Sequence, residues 1–239
     1  MIEGKTAWMA LLAAVCLAWV CTGGEAAPAL GQAAVEEKLV ALTFDDGPQR
    51  ETTSRLLDGL RERGIPATFF LIGSQMEGNE DLIARMAAEG HSVGLHTWDH
   101  LALTGLGDRD FTAQVDRQAQ ALTALTGKTP LLLRPPYGFV DRGVQDKSPY
   151  PLILWSVDPE DWKLRDRAKV TQALLSQTRD GDVLLLHDIY PSSVEAALET
   201  ADALRDRGFT FVTVEELARR RGTDLEPGQV YRGARWNEY

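Results

Sequence analysis

Past its first 21 residues the 239-residue chain has no cysteine, since Cys16 and Cys21 are the only two. A disulfide framework, a thiolate metal site and a cysteine nucleophile are therefore excluded for everything downstream. Histidine is scarce as well, with four residues, so imidazole chemistry must come from a small set. Positive charge is in short supply: 25 Lys and Arg stand against 35 Asp and Glu, a formal net charge of −10. That balance argues against a nucleic-acid polyanion as partner and favours a neutral or cationic one. No apolar run reaches the ~20 residues that comfortably span a bilayer. What is present is 44% apolar and 25% charged residues, with 21 Gly and 11 Pro, the make-up of a globular chain with one large domain.

The longest apolar run, Thr6 to Cys21, follows Lys5 and precedes a small-residue stretch from Gly23. Basic end, apolar core and small-residue cleavage region are the order of a secretory signal. Residues 1–27 are expected to be a signal peptide cleaved near Ala26 or Ala29, with an uncleaved membrane anchor as the alternative. Val15 and Val20 stand before the cysteines where a lipoprotein signal needs a small residue. The exported domain is then extracytoplasmic, free of thiols, touches a membrane only through an uncleaved leader, and is expected to act as a monomer.

From Lys38 onward short apolar runs alternate with helical periods. The runs are Leu39–Phe44, Ala67–Ile72, Ser92–His96, Leu131–Leu133, Leu152–Val157, Val183–Leu186 and Phe209–Val214. Apolar residues in succession, rather than alternating, predict strands buried on both faces, as in parallel sheets. Between them, Leu56, Leu57 and Leu60 share a helical face ahead of Gly64, as do Leu82, Ile83 and Met86 ahead of Gly90. Phe111, Val115, Leu122 and Leu125 mark a longer helix ending at Gly127, and two more follow around Val170–Leu175 and Val194–Leu204. About seven strands with helical crossovers predict an α/β fold with a parallel sheet, open or closed into a barrel. Gly138–Pro151 breaks the rhythm and predicts a short or irregular crossover. The polar tail, residues 222–239, is expected to pack along the outside.

Five polar clusters stand at the C-terminal ends of these runs, the edge that carries the active site in parallel α/β folds. Asp45 and Asp46 precede the turn Gly47–Pro48; one carboxylate could bind a metal and the other act as base, or the pair could cap the helix that begins near Thr52. His96 and His100 have i, i+4 spacing, which on a helical turn brings both rings to one side. Thr97 stands where a zincin-type protease would need Glu. Two His and one Asp, leaving a coordination position for water, suit catalytic zinc, with manganese, cobalt or nickel as substitutes. Arg134, pinned by Pro135–Pro136, could hold a carboxylate bidentately and keep it ionised. His187, paired with Asp161 or Asp158, reads as an oriented general acid. His91, at the start of its strand, is expected to be structural.

Taken together, Thr43–Pro48 (TFDDGP), His96–His100 (HTWDH), Arg134–Gly138 (RPPYG), Asp158–Trp162 (DPEDW) and Leu185–Asp188 (LLHD) resemble, in order, the five motifs of the NodB-type polysaccharide deacetylases, carbohydrate esterase family 4. The resemblance spans residues 38–217 and implies a distorted (β/α) barrel of fewer than eight strands. It implies Asp45 as general base, Asp46, His96 and His100 as ligands of one divalent metal ion, and His187 as general acid. Arg134 would orient Asp45 and Asp161 would orient His187. Tyr137 would offer its backbone N–H to the oxyanion, and Trp162 and Leu185 would wall the acetyl pocket. The implied reaction is removal of N-acetyl groups from N-acetylglucosamine or N-acetylmuramic acid units of peptidoglycan or a chitin-like polysaccharide. The alternatives are O-acetyl ester hydrolysis of the xylan type, another amide substrate, or a catalytically silent glycan-binding barrel.

Overall fold

A computed structural model describes residues 37–233. The expected signal peptide and the last residues of the tail lie outside the described residues. Seven strands are present among them: β1 (Lys38–Asp45), β2 (Thr68–Leu71), β3 (Ser92–Leu95), β4 (Leu152–Ile153), β5 (Asp182–His187), β6 (Phe209–Phe211) and β7 (Val230–Tyr231). The helices are α1 (Arg50–Arg63), α2 (Glu80–Ala88), α3 (Asp108–Thr126), α4 (Arg142–Lys147), α5 (Asp161–Leu164), α6 (Arg167–Gln177), α7 (Pro191–Asp206) and α8 (Val214–Arg220).

β1 is the axis of a parallel sheet. β5 pairs with one of its edges from Val40 to Asp45, while the other edge is divided between β6 at Lys38–Val40 and β2 at Thr43–Asp45. β3 extends the sheet beyond β2. Past β3 the ladder thins to single parallel bridges, Leu95 with Leu133 and Leu133 with Leu152, and Val157 bridges back to Leu184 of β5. Regular pairing thus holds one side of the fold and isolated bridges the other, a distorted form of the expected (β/α) arrangement.

Two expectations are corrected. The run Leu131–Leu133 is not a strand and contributes only its bridge at Leu133. Pro130 and Pro135 flank it and remove ladder donors on both sides. Residues 222–233, expected on the outside, instead supply β7, which pairs in parallel with β4, and Gly233 bridges Asp182. Tyr231 is buried in the core beside Ile153 and Val183, and its Oη donates to the Asp224 carbonyl and accepts from the Glu226 N–H. The irregular crossover at Gly138–Pro151 holds only the single short helix α4, as its composition predicts.

Side-chain alternation along β1 divides the core. Val40, Leu42 and Phe44 belong to the larger cluster with α1 and α7; Leu39 and Ala41 belong to the smaller one, with Phe70, Ile153, Val183 and Tyr231. Continuing that second face toward the C-terminal end brings Thr43 and then Asp45, so the apolar plug is overlaid by polar groups. α1 is capped by Gln49, whose Oε1 accepts from the Glu51 and Thr52 N–H groups at 3.1 and 2.8 Å, and it ends at Gly64 in the left-handed region, φ 62°. Asp45 and Asp46 therefore do not serve as its cap.

His91 is structural, as expected. Its Nδ1 accepts the Ala67 N–H at 3.0 Å, its ring meets Phe69 edge-on, and burial pushes the imidazole down to about 4. On acidification from the ordinary 6.5 toward about 4 the unfolded chain takes up a proton that the folded chain refuses, so this contribution to stability is present above that window and lost within it. The loss is on the order of 3 kcal/mol. His91→Asn, which keeps an acceptor near Nδ1, is expected to flatten this acid limb in denaturant unfolding curves; a limb as steep as the parent's would refute the assignment.

Candidate active site

All five clusters converge on one cavity of about 560 Å³, lined among others by Asp45, Asp46, His96, His100, Tyr137, Trp162, Leu185 and His187. The register of β1 on β5 sets its axis by placing Asp45 opposite His187 and Thr43 opposite Leu185. Arg134 is wholly buried beneath it. Its Nη1 donates to Asp45 Oδ1 and to Thr43 Oγ1, both at 2.7 Å, while Nε and Nη2 donate to the carbonyls of Ile153 and Leu154 at 3.1 Å. The carboxylate is thus held by one nitrogen, not bidentately, and Asp45 Oδ2 is left facing His96 Nε2 at 3.7 Å. The guanidinium also rests on the Phe70 ring at 4.1 Å.

His96 and His100 converge without a helix. The chain from 96 to 100 is a loop that turns through left-handed residues at Thr97 (φ 67°) and His100 (φ 57°), and the rings come to 4.9 Å. His96 Nδ1 lies 2.7 Å from the Arg134 carbonyl, which makes Nδ1 the protonated nitrogen and turns the Nε2 lone pair into the cavity. Both Nε2 atoms face Asp46 Oδ1, at 3.4 and 3.3 Å, and that oxygen is buried with no hydrogen-bond partner among the described residues. An orphaned carboxylate oxygen between two imidazole nitrogens, all within 4.8 Å of one another, is a donor set that fits a divalent metal ion. Burial holds the His100 imidazole below its ordinary value, helped by the nearby His96, which favours the neutral ligand form. Burial alone would raise Asp46, but the facing histidines outweigh it and hold the carboxyl ionised.

On the opposite side, His187 Nδ1 lies 2.8 Å from Asp161 Oδ1, and the His187 backbone N–H donates to Asp161 Oδ2 at 2.8 Å. Asp161, the carboxylate that the family resemblance implies, is the partner; Asp158 lines the cavity and accepts the Glu160 N–H. Burial works against the His187 imidazolium, but Asp161, with Asp45 and Asp46, outweighs it and pushes the group up to about 9. Tyr137 stands in the left-handed region, φ 62°, between Pro136 and Gly138, its ring against His100. Leu185 is buried on the cavity floor and Trp162 half exposed at its wall.

Six non-glycine residues have left-handed φ among the described residues, and five of them, Asp46, Thr97, His100, Tyr137 and Glu160, lie in these clusters. Such strain persists where surrounding contacts over-determine it and gathers at functional sites. Sequence reasoning missed several contributors. Gln118 accepts the His96 N–H at 3.2 Å and donates to the Leu71 carbonyl; a Gln on the same helical face as Phe111, Val115 and Leu122 is the signal that marks it. Asp188, which the sequence places in the last motif without a role, is buried under the turn after Asp46, bonded to Thr53 Oγ1, with its carboxylate where a Cβ on Gly47 would fall. Phe139, Trp155 and Tyr190 complete the wall.

Residues 32–149 match the family model described as polysaccharide deacetylase. A solved structure described as T48 deacetylase with substrate is 42% identical, with a TM-score of 0.78 over 82% of this chain and 96% of that one. The chain belongs to the polysaccharide deacetylases of carbohydrate esterase family 4. Peptidoglycan-N-acetylglucosamine deacetylase PgdA of Listeria monocytogenes is 40% identical over 194 residues, 81% of this chain and 41% of the relative. Peptidoglycan-N-acetylmuramic acid deacetylase PdaC of Bacillus subtilis is 39% identical over 181 residues, 76% of this chain and 39% of the relative. The chain thus spans about two fifths of the length of these curated relatives.

Removing the charge of Arg134 would strand Asp45 in the interior. Arg134→Met is expected to cost about 3–5 kcal/mol in denaturant unfolding, the typical penalty for breaking a buried pair; a loss below about 1 kcal/mol would show that the pair carries no such weight.

Proposed function

We propose that this chain is an exported, metal-dependent deacetylase that removes N-acetyl groups from N-acetylglucosamine or N-acetylmuramic acid units of peptidoglycan. The observation that carries the reading is the placing of the Asp46–His96–His100 cluster between two oriented groups, Asp45 on Arg134 and His187 on Asp161, in a single cavity. The names of PgdA and PdaC support peptidoglycan as the polymer, and they differ on the sugar. The leader-like first 27 residues support export.

Asp46 Oδ1 and the Nε2 atoms of His96 and His100 would hold the ion, with zinc favoured by one carboxylate and two imidazoles. When bound, the metal supplies Lewis acidity to the attacking water and to the acetyl carbonyl. Asp45 Oδ2, the oxygen not engaged by Arg134, takes the water proton as the new C–O bond forms. The Tyr137 N–H donates to the oxyanion that results. His187 Nε2 then gives its proton to the sugar nitrogen as the C–N bond breaks, yielding acetate and a free amine. Asp161 fixes Nδ1 as the bound nitrogen and stabilises the protonated ring. Leu185 and Trp162 enclose the acetyl methyl. No covalent enzyme intermediate is needed.

Purified enzyme with zinc is expected to release acetate from peptidoglycan fragments. Both His96→Ala and Asp45→Asn should abolish that release with circular dichroism unchanged, and a chelator should reversibly abolish it in the parent. Full activity in both variants would sink the assignment; acetate from O-acetyl xylan alone would move it to an esterase. His187 works as an acid, so activity falls as pH rises through its pKa. Asp161→Asn removes the charge that raises that pKa and is expected to move the basic limb of the kcat profile to lower pH; a limb that stays in place would refute the pairing.

A further inference from the structure

The proposed reaction leaves one cation at the cavity rim without a task. Arg165 follows α5 and is the sixth non-glycine residue in the left-handed region, φ 49°. Its Nε donates to the Trp162 carbonyl at 2.6 Å, and its guanidinium carbon sits 3.3 Å above the centre of the Tyr190 ring. Trp162 and Tyr190 both line the cavity, and the Tyr190 ring lies 6.3 Å from that of His187. An exposed arginine is thus fastened at two points to the wall on the His187 side, where the sugar nitrogen would leave.

Its acidic neighbours are engaged elsewhere. Glu160 pairs with Lys163, Asp166 caps α6 and pairs with Lys169, and Asp161 holds His187. Among the described residues no carboxylate lies within 4.0 Å of Arg165, and neither of its Nη groups makes a hydrogen bond. Backbone strain and lost side-chain freedom are costs with no charge partner among the described residues to offset them. With Nε taken and the ring face covered, what remains is the end-on edge of a planar fork, Nη1 and Nη2, the geometry that binds a carboxylate bidentately.

We propose that Arg165 binds a carboxylate carried by the polymer next to the acetamide under attack, so that the site prefers an anionic glycan to a neutral one. Which acetamide is attacked rests on the deacetylase reading; the anion site itself does not. The carboxylate has two chemical sources, the lactyl ether of a muramic acid unit or the acidic groups of a stem peptide. Arg165→Gln and Arg165→Lys are to be compared with the parent, all zinc-loaded, on three ligands. These are neutral chitin oligomers, peptide-free glycan strands with free lactyl carboxylates, and strands that carry stem peptides. KM is read from acetate release, and Kd from the quenching of tryptophan fluorescence, to which Trp162 contributes.

Arg165→Gln is expected to weaken the parent's binding of carboxylate-bearing strands about fivefold, the scale of an exposed ion pair, and to leave chitin oligomers unchanged. Arg165→Lys should recover part of the loss. Loss confined to peptide-free or to peptide-bearing strands identifies the source of the carboxylate. Equal weakening of charged and neutral ligands would mean a distorted wall and overturns the inference, as does a parent with no preference for the charged strands. Should the parent release acetate from none of the three, the deacetylase reading fails, while the Kd comparison still decides the role of Arg165.

Discussion

A fully buried guanidinium holds the open side of this fold together. Where the sheet thins to single bridges at Leu133 and Leu152, the N–H groups of Arg134 bond the carbonyls of Ile153 and Leu154, hydrogen bonds that a continuous ladder would otherwise supply. The same side chain reaches across the apolar plug to Thr43 and Asp45 on β1, and its own carbonyl faces His96 Nδ1. One residue thus links three segments, keeps Asp45 in place and selects the tautomer of His96. A charge in an apolar interior is tolerable only when it is paired and hydrogen-bonded, and that requirement ties the proposed base, a proposed metal ligand and the weakest part of the sheet to one geometry.

The two flanks of the cavity are built on opposite electrostatic needs. On the Arg134 side a cation stands behind a carboxylate; on the Asp161 side a carboxylate stands behind an imidazole and pushes it up to about 9. Between them, Asp46 Oδ1 has no hydrogen-bond partner among the described residues and two imidazole nitrogens face it. Left-handed residues turn the chain in four of the five clusters, at Asp46, Thr97 and His100, Tyr137 and Glu160. The apolar sheet beneath supplies the rigidity on which such strained turns depend.

Net charge is a poor guide to what this surface binds. A balance of −10 favours a neutral or cationic ligand, yet a number of the acids that compose it are engaged in surface ion pairs, such as Asp202 with Arg63 and Glu216 with Arg219 and Arg220. At the cavity wall, Arg165 stands 3.3 Å over the Tyr190 ring, which itself lies 6.3 Å from the ring of the proposed general acid. Screening over roughly 8–10 Å leaves such a neighbour with more influence than distant surface charge.

Much of the molecule was legible in the order of its residues. Apolar runs such as Leu39–Phe44 and Val183–Leu186 announce buried parallel strands because hydrophobic burial is one-dimensional information, and the five clusters stand at their ends because side chains there escape the plug. Other features have no such signature. The Leu131–Leu133 run looks like a strand until flanking prolines deny it a ladder, and β7 hides in a polar tail where a buried aromatic, Tyr231, shows its worth only against Ile153 and Val183. Gln118 reaches the site from 22 residues beyond His96. Residue order alone is enough for the fold class, the family and the set of side chains able to do chemistry, because these follow from periodicity and motif. The folded geometry was needed to show that Arg134 grips Asp45 with a single nitrogen and that His96 and His100 meet without a helix. These depend on distances of a few Å between segments far apart in the chain, and register and backbone strain, not local preference, set such distances.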